Sequence, residues 1–299
     1  MKKSTKILVS ALCAAAVCGS AVAFTGCGGE KTANIQISGS TSVNEIMETL
    51  AGEYEKDNNV RIYINANGSG AGITDTKEGR NEIGMSSRAL FEDEISGGLL
   101  GKQLCLDGIV LAVGKDCKVT QVTNEQVYNL TMNGTPIDAD GATINAVAGR
   151  EASSGTREAF DENVFDENGK SIKDWSRDKT APKTYSNAVS NNTSTGAVIE
   201  KITNDSFNRT LGYISMGSYL KNTSTLTALK FQARGDSEFV APSVETVKDG
   251  SYKMQRPFVI VTKKDAGLSE AAQAFYDWLW SETAQNIIAE RGYVIADTL

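Results

Sequence analysis

Apolar residues follow two spacings along the chain, one typical of strands and one typical of helices. The short runs 34–38 and 60–66 predict strands. Between them, Val43, Ile46 and Leu50 recur at helical spacing and predict a helix with one buried face. Strands that alternate with amphipathic helices are the pattern of an α/β protein.

The same patterns predict elements further along the chain. Residues 109–113 are apolar on both faces, as expected for a strand at the centre of a parallel sheet. Residues 121–130 are predicted to be helical, and the polar segment 161–185 is predicted to be irregular. Ser269 and Ser281 are predicted to cap the two helices that close the chain.

The beginning of the chain has the composition of an export signal. Three lysines precede the apolar stretch 7–22. The following Phe24-Thr25-Gly26-Cys27 resembles the lipobox of bacterial lipoproteins, in which the cysteine after the cleavage site becomes lipid-modified. We therefore predict that residues 1–26 are removed, that Cys27 is lipidated, and that 27–33 form the anchor and tether. An ordinary signal peptide with a chance cysteine is the alternative.

The charge of the chain excludes one class of partner. The formal net charge is −7, and loss of the three lysines in residues 1–26, which contain no acid, changes it to −10. Nucleic acid is therefore not an expected partner, because proteins that bind it carry clustered basic residues. An anion site in this chain must depend on local N–H groups, helix N-termini and arginines.

The chain contains no histidine. Neither a Ser-His-Asp triad, a Cys-His dyad nor a His-ligated zinc site can be built from it. We predict a binding protein that is not an enzyme and that uses no cofactor or metal. A phosphatase with Ser154 as nucleophile is a minor alternative, since it would lack a histidine base. Cys105 and Cys117 are compatible with either a disulfide or buried free thiols.

Three segments combine a strand end, a loop of Gly and Ser or Thr, and a helix start. They are residues 39–42, 68–72 and 153–156. A helix N-terminus leaves N–H groups unpaired and carries a partial positive charge, so it favours an anion. Each loop alone also fits an ordinary capped helix. Arg150 precedes the third loop and can offer a bidentate fork to two oxygens, so together these features predict an oxyanion site.

Five motifs in this chain resemble those of one protein family in order and spacing. They are ISGSTSV (37–43), GSGAG (68–72), IGMSSR (83–88), LDGI (106–109) and REASSGTR (150–157). They are similar to motifs of the periplasmic-type phosphate-binding proteins of ABC transporters, in particular the lipoprotein branch of the PstS family in Gram-positive bacteria. The resemblance covers essentially the whole mature chain.

The resemblance implies a fold and a set of ligands. It implies a type II periplasmic-binding-protein-like α/β fold whose two lobes each hold a mixed sheet flanked by helices. Lobe I would comprise 34–113 and 258–299, lobe II would comprise 114–257, and the chain would cross between them twice. The implied phosphate ligands are Thr41, Ser42, Ser69, Arg150, Ser154, Gly155 and Thr156.

The chain departs from the family pattern at two places. Many members have an aspartate that accepts the phosphate proton where this chain has Ser87. We predict that Ser87 lies at the site and that Asp107 replaces the missing acceptor; a structural role at a strand end or turn is the alternative for Asp107. Ala152 stands where relatives often have an acid that orients the arginine, and Glu151 either takes over this task or lies in solvent.

The resemblance implies that the protein captures inorganic phosphate and delivers it to the membrane permease of an ABC transporter. We expect a monomer that is anchored by lipid to the outer face of the cytoplasmic membrane of a Gram-positive bacterium. The alternative is the same fold with sulfate or molybdate as ligand, because a carboxylate acceptor is what distinguishes phosphate, which carries a proton, from sulfate.

Overall fold

A computed structural model describes residues 33–295 of the chain. Strands and helices alternate through most of this part, which confirms the predicted α/β class. Within residues 33–295, no helix is long and apolar enough to span a bilayer.

The helices, together with one π-helical turn at Asn129–Asn133, are α1 (Thr41–Asp57), α2 (Ser69–Glu78), α3 (Glu92–Ser96), α4 (Asn124–Tyr128), α5 (Gly155–Asn163), α6 (Ile172–Arg177), α7 (Thr195–Thr203), α8 (Met216–Lys221), α9 (Val244–Lys248), α10 (Glu270–Trp278) and α11 (Glu282–Glu290). The strands are β1 (Ala33–Gly39), β2 (Val60–Asn65), β3 (Ile83–Ser86), β4 (Leu99–Gly114), β5 (Gln121–Thr123), β6 (Ile137–Ala139), β7 (Ala142–Ile144), β8 (Ala146–Arg150), β9 (Val189–Asn192), β10 (Thr210–Ser215), β11 (Leu226–Ala228), β12 (Lys230–Gln232), β13 (Gln255–Lys263) and β14 (Val294–Ile295).

A mixed sheet joins most of these strands. Its order is β2-β1-β3-β13-β4-β10-β8-β9, and β11 and β14 also pair with β4. Strand β1 is parallel to β2 and β3, and β8 is parallel to β9 and β10. The antiparallel strands β13 and β4 lie between these two parallel groups and connect them.

Two large hydrophobic cores and one smaller cluster lie on this sheet. The first contains the buried face of α1, including Val43 and Leu50, packed with strands β1 to β3 and helices α10 and α11. The second contains residues from β8, β10, α5 and α7. Strand β4 contributes to both, since Cys105 packs in the first core and Ile109 in the second. Residues 109–113 thus pack with the second core, whereas the predicted boundary at 113 put them in lobe I; the division into lobes stays a prediction.

The apolar run 109–113 was correctly predicted to be a buried strand, but its surroundings were not. Strand β4 is antiparallel to its neighbours β10, β11, β13 and β14, not part of a parallel group. All five side chains of the run are fully buried. Burial on both faces makes a strand apolar in either orientation, so the apolar pattern could not reveal the strand direction.

Two segments differ from their predicted structure. Residues 121–130 begin with the short strand β5, and α4 starts only at Asn124, because Thr123 caps it and Gln126 reaches back to the Thr123 N–H. The segment 161–185 is not wholly irregular, since it contains α6. Ser171 and Asp174 form a capping box at the start of that helix.

The end of the described chain follows the prediction closely. Ser269 accepts the Ala272 N–H and Ser281 accepts the Ala284 N–H, so each caps its predicted helix. Cys105 and Cys117, for which the sequence left two states open, are both buried free thiols.

Candidate functional site

Four helices begin at the carboxyl ends of parallel strands and converge on one place. Helices α1, α2, α5 and α7 follow β1, β2, β8 and β9, respectively. Ser40, Ser154 and Ser194 cap three of them through their hydroxyl groups, while α2 follows Gly68. The crevice beyond the carboxyl ends of strands is where α/β proteins bind ligands. Four partial positive charges therefore face the same small volume.

Hydroxyl groups at these helix starts lie in mutual contact. Ser42 Oγ of α1 lies 3.0 Å from Thr156 Oγ1 of α5 and 3.2 Å from Thr195 Oγ1 of α7. Thr41 Oγ1 lies 3.3 Å from Thr195 Oγ1. Ser42, Thr156 and Thr195 are buried. The first and second cores thus meet at a cluster of hydroxyls that can each donate to an oxyanion.

The second helix joins this cluster through close backbone contact. Ser69 Oγ, at the start of α2, lies 3.1 Å from Ser87 Oγ and accepts the Ser87 N–H at 3.1 Å. The Gly70 N–H donates to the Ser153 carbonyl at 3.1 Å. A Cβ added at Gly155 would lie 2.6 Å from Ser87 Oγ and 2.7 Å from Ser69 Oγ. Only glycine allows α5 to approach these two serines this closely.

Arg150 ends β8 and extends into the hydroxyl cluster. It is 1% exposed, and its Nη1 donates to Thr195 Oγ1 at 3.3 Å. Its Nε and Nη2 donate to Oε2 and Oε1 of Glu151 at 2.9 and 2.8 Å, respectively. Glu151 therefore orients the guanidinium, which answers the question that the sequence left open. This fork occupies the Nε/Nη2 edge of the guanidinium and leaves Nη1 directed at Thr195, at the start of α7.

Two residues that the family resemblance assigns to the ligand donate their backbone N–H groups to helix caps in this structure. The Ser42 N–H donates to Ser40 Oγ at 3.2 Å, and the Thr156 N–H donates to Ser154 Oγ at 3.2 Å. Ser154 thus acts here as the N-cap of α5. Its predicted role as a ligand stays a prediction, as do the roles of Thr41, Ser42, Ser69, Ser87, Gly155 and Thr156.

Asp107 lies in a different network from the other predicted site residues. It is fully buried in β4, its Oδ2 accepts from Arg256 Nε and Nη2 at 3.0 and 2.9 Å, and its Oδ1 accepts the Met216 N–H at 2.9 Å. Burial raises the pKa of Asp107 to about 6, while the positive charge of Arg256 opposes this shift. Burial also lowers the pKa of Arg256, and repulsion from Arg150 lowers it further.

The Asp107–Arg256 pair is thus close enough to the site for the charges of Arg256 and Arg150 to repel each other. The hydrogen bonds of Asp107 among residues 33–295 are with Arg256 and the Met216 N–H, and none of these reaches the hydroxyl cluster. The role of Asp107 as the acceptor of a ligand proton stays a prediction.

The sequence reasoning missed Thr195. This residue contacts Thr41, Ser42 and Arg150, and so connects three of the predicted ligands. Its segment has the same design as the other three loops, because β9 is soon followed by the cap Ser194 and by α7, which begins with Thr195 and Gly196. This repeated design is the sequence signal that indicates Thr195. Cys27, the predicted lipidation site, lies outside the residues that the structure describes.

A metal site finds no support in this geometry. Among residues 33–295, no cluster of three or more His, Cys, Asp or Glu side chains is arranged to hold a metal ion. The converging groups are hydroxyls, helix N-termini and a guanidinium, which suit an anion and not a cation.

Comparison with known proteins agrees with this geometry. The profile of the PBP superfamily domain matches residues 27–283. The chain belongs to the PBP superfamily. Membership of this superfamily confirms the predicted fold class, and the motif resemblance to PstS proteins is confirmed by the relatives that follow.

Two curated relatives and one solved structure show how close the similarity is. The chain is 28% identical to the phosphate-binding protein PstS of Borreliella burgdorferi, over 87% of this chain and 89% of that protein. It is 27% identical to PstS of Bacillus subtilis, over 98% of this chain and 95% of that protein. A Clostridium perfringens structure, described as a phosphate ABC transporter substrate-binding protein with bound phosphate, has 30% identity and a TM-score of 0.74 over 88% of this chain and 99% of that chain.

These relatives are named as binding proteins and not as enzymes. They therefore support the expectation from the missing histidines, and they give no support to the phosphatase alternative.

Proposed function

We propose that this chain is the solute-binding protein of an ABC importer and that it captures inorganic phosphate where α1, α2, α5 and α7 begin. The observation that carries this proposal is the convergence of four helix N-termini with the guanidinium of Arg150. Partial positive charges, hydroxyl donors and a guanidinium group are groups that bind tetrahedral oxyanions. The chain is acidic overall, so this local arrangement supplies the attraction that the net charge does not.

Phosphate is the preferred ligand for two reasons. The curated relatives that cover most of the chain are phosphate-binding proteins, and the Clostridium perfringens structure is described with bound phosphate. The site also holds hydroxyl groups at Ser42, Thr156 and Thr195, which can donate to the ligand or accept its proton. Sulfate carries no proton at neutral pH, so it could only accept hydrogen bonds from these hydroxyl groups.

We assign the ligand contacts as follows. Arg150 supplies the charged donor, with Glu151 holding its orientation. Hydroxyls at the helix starts supply the remaining donors, and Thr195 joins the set that the family motifs suggested. The proposed ligand residues are Thr41, Ser42, Ser69, Ser87, Arg150, Ser154, Gly155, Thr156 and Thr195.

The strands β4 and β13 are the proposed crossings between two lobes. Both run antiparallel between the two parallel groups of the sheet, and β4 contributes to both cores. Ligand would bind between the lobes and favour their closed arrangement, which the permease then recognises. We further propose a monomer that acts outside the cytoplasm and is anchored to the membrane through a lipid on Cys27.

The proposal is tested by titrating the purified protein with inorganic phosphate and, separately, with sulfate. We expect phosphate to bind with a Kd in the micromolar range or tighter, on the order of −8 kcal/mol or more favourable. Sulfate should compete at least about tenfold more weakly if a proton acceptor contributes to selectivity. Absence of phosphate binding at micromolar concentrations would contradict the proposal, and tighter binding of sulfate would favour the alternative ligand.

Gly155 offers a test of the close approach between the two halves of the site. Substitution Gly155→Ala places a methyl group against Ser69 and Ser87, and overpacking of this kind costs about 1–3 kcal/mol. We expect phosphate affinity to fall by about tenfold, as measured by calorimetry.

Gly52 in the middle of α1 is the matched control for Gly155. A Cβ at Gly52 would meet no atom within 4 Å. Gly52→Ala should therefore leave the phosphate Kd unchanged and raise stability by about 0.5–1 kcal/mol. Equal phosphate affinity for the two alanine variants would show that the contact of Gly155 with the two serines does not matter for binding.

A further inference from the structure

A group of ionisable side chains, two buried and two partly buried, contacts the backbone of Arg150. The group consists of Arg157 and Asp161 of α5, Tyr185 from the segment before β9, and Tyr213 of β10. Phe160 stacks on Tyr213 with a ring distance of 4.2 Å and closes the group on one side. None of these residues belongs to the proposed ligand set.

Two members of the group hold the backbone of Arg150. The Arg150 N–H donates to the Tyr213 hydroxyl at 2.9 Å. Arg157 Nη1 donates to the Arg150 carbonyl at 3.3 Å. The peptide groups on both sides of the Arg150 Cα are therefore fixed by side chains of this group. Because the guanidinium projects from that Cα, its position depends on these two contacts as well as on Glu151.

Asp161 connects the two contacts. Its Oδ2 lies 3.6 Å from Arg157 Nε, and its Oδ1 accepts a short hydrogen bond from the Tyr185 hydroxyl. The Arg157 guanidinium lies 4.2 Å from the centre of the Tyr185 ring, and Tyr185 in turn interacts with Tyr213. Asp161 is 6% exposed, so its charge is poorly screened by water.

We propose that Asp161 is a positioning residue for anion binding. Its charge state sets how firmly Arg157, and Tyr213 through Tyr185, hold the backbone of Arg150, and thereby how tightly the anion binds. When Asp161 is ionised, it fixes Arg157, and Arg157 fixes the Arg150 carbonyl. When Asp161 is protonated, Arg157 loses its ionic partner and the carbonyl is held less well. The inference rests on the proposed function, because phosphate is the anion with which it is measured.

The pKa of Asp161 lies near neutral pH, so its charge can change within the range in which binding is measured. Burial raises its pKa to about 7, while Tyr185 and Arg157 act to lower it. Glu158, on the same helix, raises it further by charge repulsion. The groups that face Asp161 are thus Arg157, Glu158, Tyr185 and Tyr213, and they come from α5, β10 and the segment before β9. The pairing of Asp161 with Arg157 should be complete above this pKa and lost below it.

The test compares the phosphate Kd of the wild type with that of Asp161→Asn from about pH 5.5 to about pH 8.5, on either side of the pKa of about 7. Asparagine keeps the shape but carries no charge, so it imitates the protonated acid. We expect the variant to bind about fivefold more weakly than the wild type at the upper pH and equally at the lower pH. The titration of phosphate itself affects both proteins alike and cancels in the ratio.

A ratio of the two Kd values that does not change with pH would overturn the inference, because a purely structural role gives a constant ratio. Stronger binding by the variant at high pH would also overturn it, since the bare negative charge would then be repelling the anion. Absence of phosphate binding by the wild type at every pH would instead contradict the proposed function.

Two further substitutions test the inference without changing Asp161. Tyr185→Phe removes the hydrogen bond that lowers the pKa of Asp161. The pH at which phosphate affinity changes should therefore be higher in this variant than in the wild type. Glu158→Gln removes a repelling charge, so that pH should move downward. Shifts in the same direction, or no shift in either variant, would contradict the role of Asp161.

Discussion

Substitution Arg150→Lys is expected to weaken phosphate binding by about 100-fold, which corresponds to about 2.7 kcal/mol. Hydrogen bonds to charged groups contribute about 1.5–3 kcal/mol each, and lysine cannot offer the planar fork of arginine. In this site the loss is aggravated by Glu151. In the wild type, the Glu151 carboxylate accepts hydrogen bonds from Nε and Nη2 of Arg150, while Nη1 is directed at Thr195. A single lysine ammonium cannot bond to Glu151 and also reach the anion in this geometry.

Calorimetric titration of the purified variant with phosphate measures this effect. Arg61→Lys is the matched control, because the Arg61 side chain is 55% exposed and forms an ion pair with Glu55. An exposed pair of this kind contributes about 0–1 kcal/mol to stability and should contribute nothing to phosphate affinity. If Arg150→Lys bound phosphate as tightly as the wild type, Arg150 would not be a ligand of the anion.

Substitution Asp107→Asn is expected to lower the stability of the folded protein by about 3 kcal/mol, because it breaks a buried ion pair and leaves Arg256 without compensation. Asp107 is fully buried, and both its oxygens accept hydrogen bonds. An asparagine has one oxygen and one NH₂ group, so either Arg256 or the Met216 N–H must lose its acceptor. A shift of several degrees in the thermal unfolding midpoint without phosphate measures the loss.

A second substitution separates the pair from the single residue. In the double variant Asp107→Leu with Arg256→Met, no charge remains unpaired, and such exchanges are often neutral for stability. The double variant should therefore be more stable than Asp107→Leu alone. If it is equally unstable, packing around β4 and not the ion pair explains the loss.

The same Asp107→Asn protein tests the selectivity assigned to this residue. If Asp107 accepts the proton of bound phosphate, the variant should bind phosphate more weakly and reject sulfate less strongly. The measurement is the ratio of the sulfate and phosphate Kd values in folded protein. An unchanged ratio would restrict Asp107 to the structural pairing with Arg256 and leave the hydroxyl cluster as the source of any discrimination.

Much of the fold could be predicted because the relevant forces act between near neighbours in the sequence. The buried face of α1 follows from its helical spacing, and the caps at Ser269 and Ser281 follow from the hydrogen bonds of one helical turn. The strand direction of β4 and the helix within 161–185 could not be predicted in the same way. Apolar runs report burial and not orientation, and short helices depend on the surface against which they pack.

In the candidate site, too, the features that depend on residues close in sequence could be predicted and the others could not. Three of its four helix starts, the position of Arg150 and the exclusion of histidine chemistry were determined by the sequence alone, because each depends on residues within one loop or on composition. Thr195 could have been predicted, since its loop repeats the design of the others, but only its contacts in the folded chain place it beside Thr41, Ser42 and Arg150.

Only the tertiary structure decided the partners of the acidic residues. Asp107 meets Arg256 across 149 positions of the chain, and Asp161 meets Tyr185 across 24. A carboxylate in a sequence carries no mark of which distant cation or hydroxyl will face it, because that pairing is set by sheet order and by helix packing. The sequence by itself therefore determined the class of ligand and the donors at the helix starts. Only folding decided which groups pair with Asp107 and Asp161.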